Sequence, residues 1–155
     1  MDRKSKENYY LDIAESVLAR GTCLRRNYGA VIVKNDVIVS TGYAGAPRGR
    51  QNCSDAGECY RQQQGVPRGE RYELCRSVHA EANAIIAADR DLMLGATLYL
   101  TGHDENGDLL SDAYPCPMCQ RLIINAGISR VICRNTPEKY TVVPVREWVE
   151  EDDTF

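Results

Sequence analysis

The chain has 155 residues, 43% hydrophobic and 26% charged, with a net charge of −3. That length suits one domain, residues 1–155, able to bury a core without disulfide staples, and the acidic balance, pI about 5.4, argues against nucleic acid as a partner. Apolar runs stop at four or five residues, far short of the roughly 20 that span a bilayer. The charged start Met1–Lys6 leads into no apolar signal core, so the expected setting is the cytoplasm, with no membrane partner.

Taken in chain order, Tyr9, Tyr10, Ile13, Ala14, Val17 and Leu18 recur at helical spacing, and Ser5 can cap a helix running to about Arg20. Ala30–Val33 and Val37–Ser40 are β-branched runs around Asn35-Asp36, the pattern of a hairpin. Both runs are apolar at successive positions, which predicts a sheet covered on both faces. From Gly42 to about Arg76 periodicity dissolves into Gly, Pro, Arg and Gln; an irregular, cysteine-containing insert occupies about 44–77. Regularity returns with a predicted helix over His79–Asp89 and a strand over Ala96–Thr101. A polar turn over Gly102–Asp108 follows, with room for a short strand after it. A helix over Cys116–Ala126 is closed by Gly127. Strands are expected at Ser129–Arg134 and Thr141–Val143, then a short helix at Arg146–Glu150. Alternating helices and strands predict an α/β layered fold.

Two short motifs carry chemistry. The first is His79-Ala80-Glu81, the second Pro115-Cys116-Pro117-Met118-Cys119. Cys116 and Cys119 share one helical face, and Pro117 suits a first turn, so both motifs open helices. Free N–H groups at a helix start favour thiolate, the form a metal needs. One His and two Cys make three ligands, one fewer than a closed structural zinc site and the number that leaves a catalytic zinc open to water. Glu81, two residues after His79, is placed to move protons beside the metal. This His-x-Glu…Pro-Cys-x-x-Cys combination is the zinc-deaminase signature. A non-catalytic zinc-binding module is the alternative reading of the same residues.

At these residues the chain resembles the cytidine deaminase-like superfamily and, within it, the deoxycytidylate (dCMP) deaminases. The likeness extends from about Gly21 to Arg134 and includes Gly29–Val33, Thr41–Pro47, Cys75–Glu81 and Leu122–Ile128. It implies a three-layer αβα fold with a mixed five-stranded sheet, and a homo-oligomer, often a hexamer. It also implies hydrolysis of dCMP to dUMP and ammonia, with Glu81 carrying the protons. The backbone of Ala80 would hold the base carbonyl, Ala30 would line the base pocket and Tyr114 would cover the base. A phosphate anchor must be cationic, and Arg25 and Arg26, just before the pocket strand, are the candidates. Other substrates (a nucleoside, another nucleotide or an aminated heterocycle) remain alternatives.

Seven cysteines without an export signal suggest metal binding rather than a disulfide framework. The resemblance adds a second, structural zinc, for which Cys23, Cys53, Cys59 and Cys75 are the candidate ligands. Cys133, in a predicted strand, is read as a core residue, and His103 as an exposed turn residue. The glycine loop departs from the family in having Ala44 where many members have Asn. That loop is tied in the family to regulation by dCTP and dTTP, and Ala offers no amide to hydrogen-bond them.

Overall fold

A computed structural model describes residues 2–151. Its centre is a five-stranded mixed sheet of β1 (Asn27–Lys34), β2 (Val37–Tyr43), β3 (Thr97–His103), β4 (Arg130–Arg134) and β5 (Tyr140–Pro144). The spatial order is β2-β1-β3-β4-β5. Only β3 and β4 run parallel; the other neighbours are antiparallel. The Asn35-Asp36 turn places both residues at positive φ, 51° and 62°. That is the turn geometry whose twist matches a hairpin and that Asn and Asp tolerate.

Alternation along the strands divides the core. Val31, Val33, Tyr99 and Ile132 face α1 (Lys6–Leu18) with Tyr10, Leu11 and Ala14. Ala30, Ile32, Leu98, Leu100, Val131 and Cys133 face the other side, against α4 (Ala80–Ile86) and α6 (Pro117–Ala126). Strands buried on both faces read as continuous apolar runs, which is why the hairpin shows little polar alternation. Cys133 is indeed core, 1% exposed. Ser5 caps α1, its hydroxyl accepting from the Asn8 N–H at 3.1 Å.

Two glycines set the spacing of the layers. A Cβ on Gly29 would lie 2.1 Å from the Ala14 carbonyl oxygen, and one on Gly42 would lie 2.3 Å from that of Ala80. Each lets a helix backbone settle directly on the hairpin, α1 on one face and α4 on the other.

Several sequence expectations are adjusted. The helix predicted to reach Asp89 stops at Ile86, and Asp89 instead precedes a separate one-turn helix, α5 (Arg90–Met93). The insert holds two further single turns, α2 (Cys53–Ala56) and α3 (Tyr60–Gln63), and a 3-10 turn at Tyr72–Leu74. These are too short to show a period. The short strand expected after the polar turn reduces to a bridge between His103 and Leu109. His103 is not a free turn residue. Its Nε2 lies 2.5 Å from Glu15, whose carboxylate also accepts from the Thr101 hydroxyl at 2.7 Å. The chain continues through β5 into α7 (Val145–Glu150), which packs on α6. No described helix is long and apolar enough to cross a membrane.

Candidate metal centre and active site

His79 and Cys116 are the N-cap residues of α4 and α6, both in extended conformation. A cap residue projects its side chain across the helix start rather than along the barrel, so two neighbouring helices with aligned starts can aim both caps at one point. Pro117 occupies the first turn of α6, where no N–H is required, and Cys119 follows one turn on from Cys116, fully buried. The sheet supplies the alignment, since α4 and α6 share its one face.

His79 Nδ1 lies 3.5 Å from the Sγ of Cys116 and 3.5 Å from that of Cys119. All three ligand atoms fall within 4.8 Å of one another, the only such trio among the described residues. Zinc bonds of about 2.0–2.1 Å to nitrogen and about 2.3 Å to sulfur, at tetrahedral angles, separate N from S by about 3.5 Å. The observed spacing therefore fits zinc. Hydrogen bonding between the two thiols, then to His79, draws Cys116 down to about 4, and the same bond pushes Cys119 upward. Contact with Cys116, then Cys75, raises His79 to about 10. A zinc ion in that space would take both sulfurs as thiolates and the imidazole in its neutral form.

Glu81 sits in the first turn of α4, 4% exposed. Burial pushes its carboxyl upward from the usual range, opposed by its backbone hydrogen bond and His79. Such a group exchanges protons near neutral pH more readily than an exposed glutamate.

A cavity of about 340 Å³ opens above this cluster, with His79, Glu81 and Cys116 in its wall. Arg25, Arg26 and Tyr114 stand in the same wall; Ala30 and Ala80, expected to line the pocket, are fully buried in the core and are not part of that wall. Arg26 Nη1 is buried and makes no hydrogen bond. A guanidinium nitrogen left so is a site where an acceptor is missing. Burial raises the Tyr28 phenol, and the Arg26 guanidinium beside it lowers it.

Sequence reasoning did not assign Tyr28, Arg61, Arg68, Tyr72 or Asp112 to the site, yet all line the cavity. Four are linked through the insert. Arg61, 6% exposed, donates to the carbonyls of Pro67 (2.9 Å) and Glu70 (2.6 Å) and lies over the Tyr72 ring at 4.6 Å. Tyr72 in turn meets the His79 ring edge-on, centroids 5.1 Å apart. Arg68 pairs across the mouth with Asp112 at 3.6 Å. Nothing local in the sequence shows that the insert folds back over the candidate metal ligands.

Cys23, Cys59 and Cys75 also line this cavity. Cys53 is buried just behind, its sulfur 3.9 Å from the Ser77 hydroxyl. Burial raises the Cys53 thiol, opposed by its hydrogen bond with Ser77, and the charges of Cys23, Cys75 and Cys59 raise it further. The four cysteines are not drawn as close together as the His79 trio. Cys75 is opposed by burial, but hydrogen bonds with His79 and the Ser77 backbone bring it below the usual thiol range. All seven cysteines are free thiols. A second cavity, about 360 Å³, lies beside the glycine loop, lined by Arg20, Tyr43, Arg48 and Arg50 among others.

Residues 4–135 match the family described as the cytidine and deoxycytidylate deaminase zinc-binding region. The chain is 39% identical over 137 residues to the deoxycytidylate deaminase of Mycobacterium phage D29, covering 85% of this chain and 96% of the relative. It is 35% identical over 130 residues to the Saccharomyces cerevisiae deoxycytidylate deaminase, covering 84% of this chain but 38% of that larger protein. Among solved structures, the dCMP deaminase of cyanophage S-TIM5 in complex with dCMP and dUMP superposes with a TM-score of 0.60. Its identity is 26%, and the match covers 87% of this chain and 85% of that one. The cytidine deaminase of Burkholderia pseudomallei shares the fold, with a TM-score of 0.63 at 17% identity, over 97% of this chain and all of that one.

Proposed function

Because the chain belongs to the cytidine and deoxycytidylate deaminase family, we propose that it hydrolyses dCMP to dUMP and ammonia. The observation that carries the reading is His79, Cys116 and Cys119 at zinc-fitting distances with buried Glu81 beside them, in the wall of a nucleotide-sized cavity. His79, Cys116 and Cys119 would hold the zinc, which when bound makes water a competent nucleophile near neutral pH. Glu81 accepts a proton from the attacking water, delivers it to N3 of the cytosine, and then serves the departing amine. Its upward-shifted carboxyl suits both directions of transfer. The cavity's aromatic and cationic wall divides naturally. In this reading Tyr114 covers the base, the Ala80 backbone and Ala30 bind it, and Arg25 and Arg26 anchor the phosphate; that Tyr114, Arg25 and Arg26 share the cavity wall supports those roles. The orphaned Arg26 nitrogen supports the anion, since it lacks an acceptor.

The same reading includes a second, structural zinc held by Cys23, Cys53, Cys59 and Cys75, one domain, a cytoplasmic setting and a homo-oligomer, a hexamer in the family pattern. The second zinc rests on the family resemblance and on Cys23, Cys59 and Cys75 lining one cavity, seven free cysteines support a reducing compartment, and exposed Ile86, Met118 and Leu122 support burial against other copies. Regulation by dCTP or dTTP would act at the arginine-lined cavity beside Ala44.

The test is a substrate panel of cytidine, deoxycytidine, CMP, dCMP, dCTP and guanine, with released ammonia as the readout. The highest kcat/KM is expected for dCMP; silence on dCMP beside fast turnover of another compound would reject it. Metal analysis should find two zinc ions per chain, and Cys53→Ser should leave one.

A further inference from the structure

The chain has a single tryptophan, Trp148, and it lies in α7, beyond the residues that match the family. Its indole N–H donates to the phenol oxygen of Tyr114 at 2.9 Å. The two rings meet edge-on, centroids 6.0 Å apart at 75°. Tyr114 belongs to the loop entering α6, two residues before Cys116, and stands in the wall of the active-site cavity while remaining 46% exposed. Its phenol makes no other hydrogen bond among the described residues. A half-exposed tyrosine on a loop is ordinarily free to change rotamer. Trp148 is anchored where Tyr114 is not. Its ring packs against the core cluster that carries α4 and α6, and α7 rests on α6 itself.

We propose that Trp148 is a positioning residue, which through its hydrogen bond to Tyr114 holds that ring at the cavity mouth in the orientation that covers the base. The proposal rests on the reading above that places Tyr114 over the base. The physical gain is preorganisation. A ring already held by the indole loses no rotamer freedom when nucleotide enters, so the effect falls on binding rather than on the chemical step.

The test combines kinetics and fluorescence. Trp148→Phe removes the donor but keeps a ring against the core, and Tyr114→Phe removes the acceptor but keeps the covering ring. Each should raise KM for dCMP about threefold to tenfold, the range expected for freeing one side chain before binding, with kcat changed less than about twofold. The double variant should match either single one, because both break the same bond. Trp148 is the only indole, so titration with dUMP should alter its emission in the unmodified protein, and less so in Tyr114→Phe. If Trp148→Phe lowers Tm but leaves KM unchanged, or the two effects multiply, the positioning role is overturned. Tyr114→Ala separates the two layers. Unchanged KM in that variant overturns the placement of Tyr114 over the base, and the proposal with it. Raised KM beside a kinetically silent Trp148→Phe overturns only the role of Trp148.

Discussion

Glu81 is the residue on which the proposed chemistry turns. It is not one of the three ligands, so its removal should separate metal binding from catalysis. Glu81→Gln keeps the volume and loses the ionisable proton. We expect kcat to fall about 10²–10⁴-fold, the span for loss of a general acid–base group, with zinc content unchanged. Activity surviving in that variant would overturn the proton-carrier role of Glu81, whereas no deamination by the unmodified protein would point to the non-catalytic module. Arg26 gives a second residue-level test. Its buried, unpartnered nitrogen makes it the better phosphate candidate of the Arg25-Arg26 pair. Arg26→Ala should raise KM for dCMP about tenfold or more, as for loss of a charged hydrogen bond, and leave deoxycytidine turnover nearly unchanged. Equal effects on both substrates would place Arg26 in the scaffold instead.

At the scale of elements, the placement of α4 governs the site, because one seven-residue helix carries Glu81 and is capped by His79. Gly42 on β2 permits that placement. A Cβ there would stand 2.3 Å from the Ala80 carbonyl oxygen and 2.4 Å from the Ala84 nitrogen, both backbone atoms that cannot rotate away. Gly42→Ala must therefore push the helix off the sheet. The expected cost is about 1–3 kcal/mol, typical of overpacking, read as a drop in Tm. Activity should fall by more than the unfolded fraction explains, since His79 moves with the helix; a variant with unchanged kcat/KM would show that α4 tolerates the shift. The insert is the complementary element. It has little apolar core, and buried Arg61 organises it by donating to the carbonyls of Pro67 and Glu70. Its Arg68–Asp112 pair is exposed and so contributes little stability. Its place at the mouth matters more.

Across the whole molecule, α1 is tied to the hairpin at the far face from the site. The Tyr10 hydroxyl donates to Asp36 Oδ1 at 2.5 Å, and Lys6 pairs with the same carboxylate at 3.1 Å. The bond to Asp36, then burial, raises Tyr10 from 10.0 to about 12, and Asp36 is lowered by the same bond, then by Lys6. A raised tyrosine stabilises the fold fully below its unfolded value of 10.0, and that contribution is lost as pH rises through about 12. The lowered carboxylate acts oppositely, stabilising above 3.8 and failing as acid drops below it. Thermal unfolding of the unmodified protein and Tyr10→Phe should thus differ by a constant amount from neutral pH to about 10. The gap should then close toward pH 12; a gap that widened there would reject the assignment.

The proposed metal trio and its glutamate stand out in the sequence because each motif is local. A cap residue and a helix start are set by neighbours a few positions away, and the two motifs name their own chemistry. The apolar runs likewise announced a sheet covered on both faces, and Asn35-Asp36 announced its turn. What the sequence could not contain was the meeting of distant segments. Tyr28, Arg61, Arg68, Tyr72 and Asp112 reach one cavity from a strand, a long insert and a loop. The insert's turns are too short for periodicity to reveal them. Nor did spacing show that His103 would find Glu15, or that Trp148 would find Tyr114, since 88 and 34 positions separate those partners. Local patterns determine which residues can do zinc chemistry. The packing of two helices on one face of a twisted sheet decides that His79 and the Cys116–Cys119 pair come within zinc-fitting distance of one another, and which side chains wall the space above them.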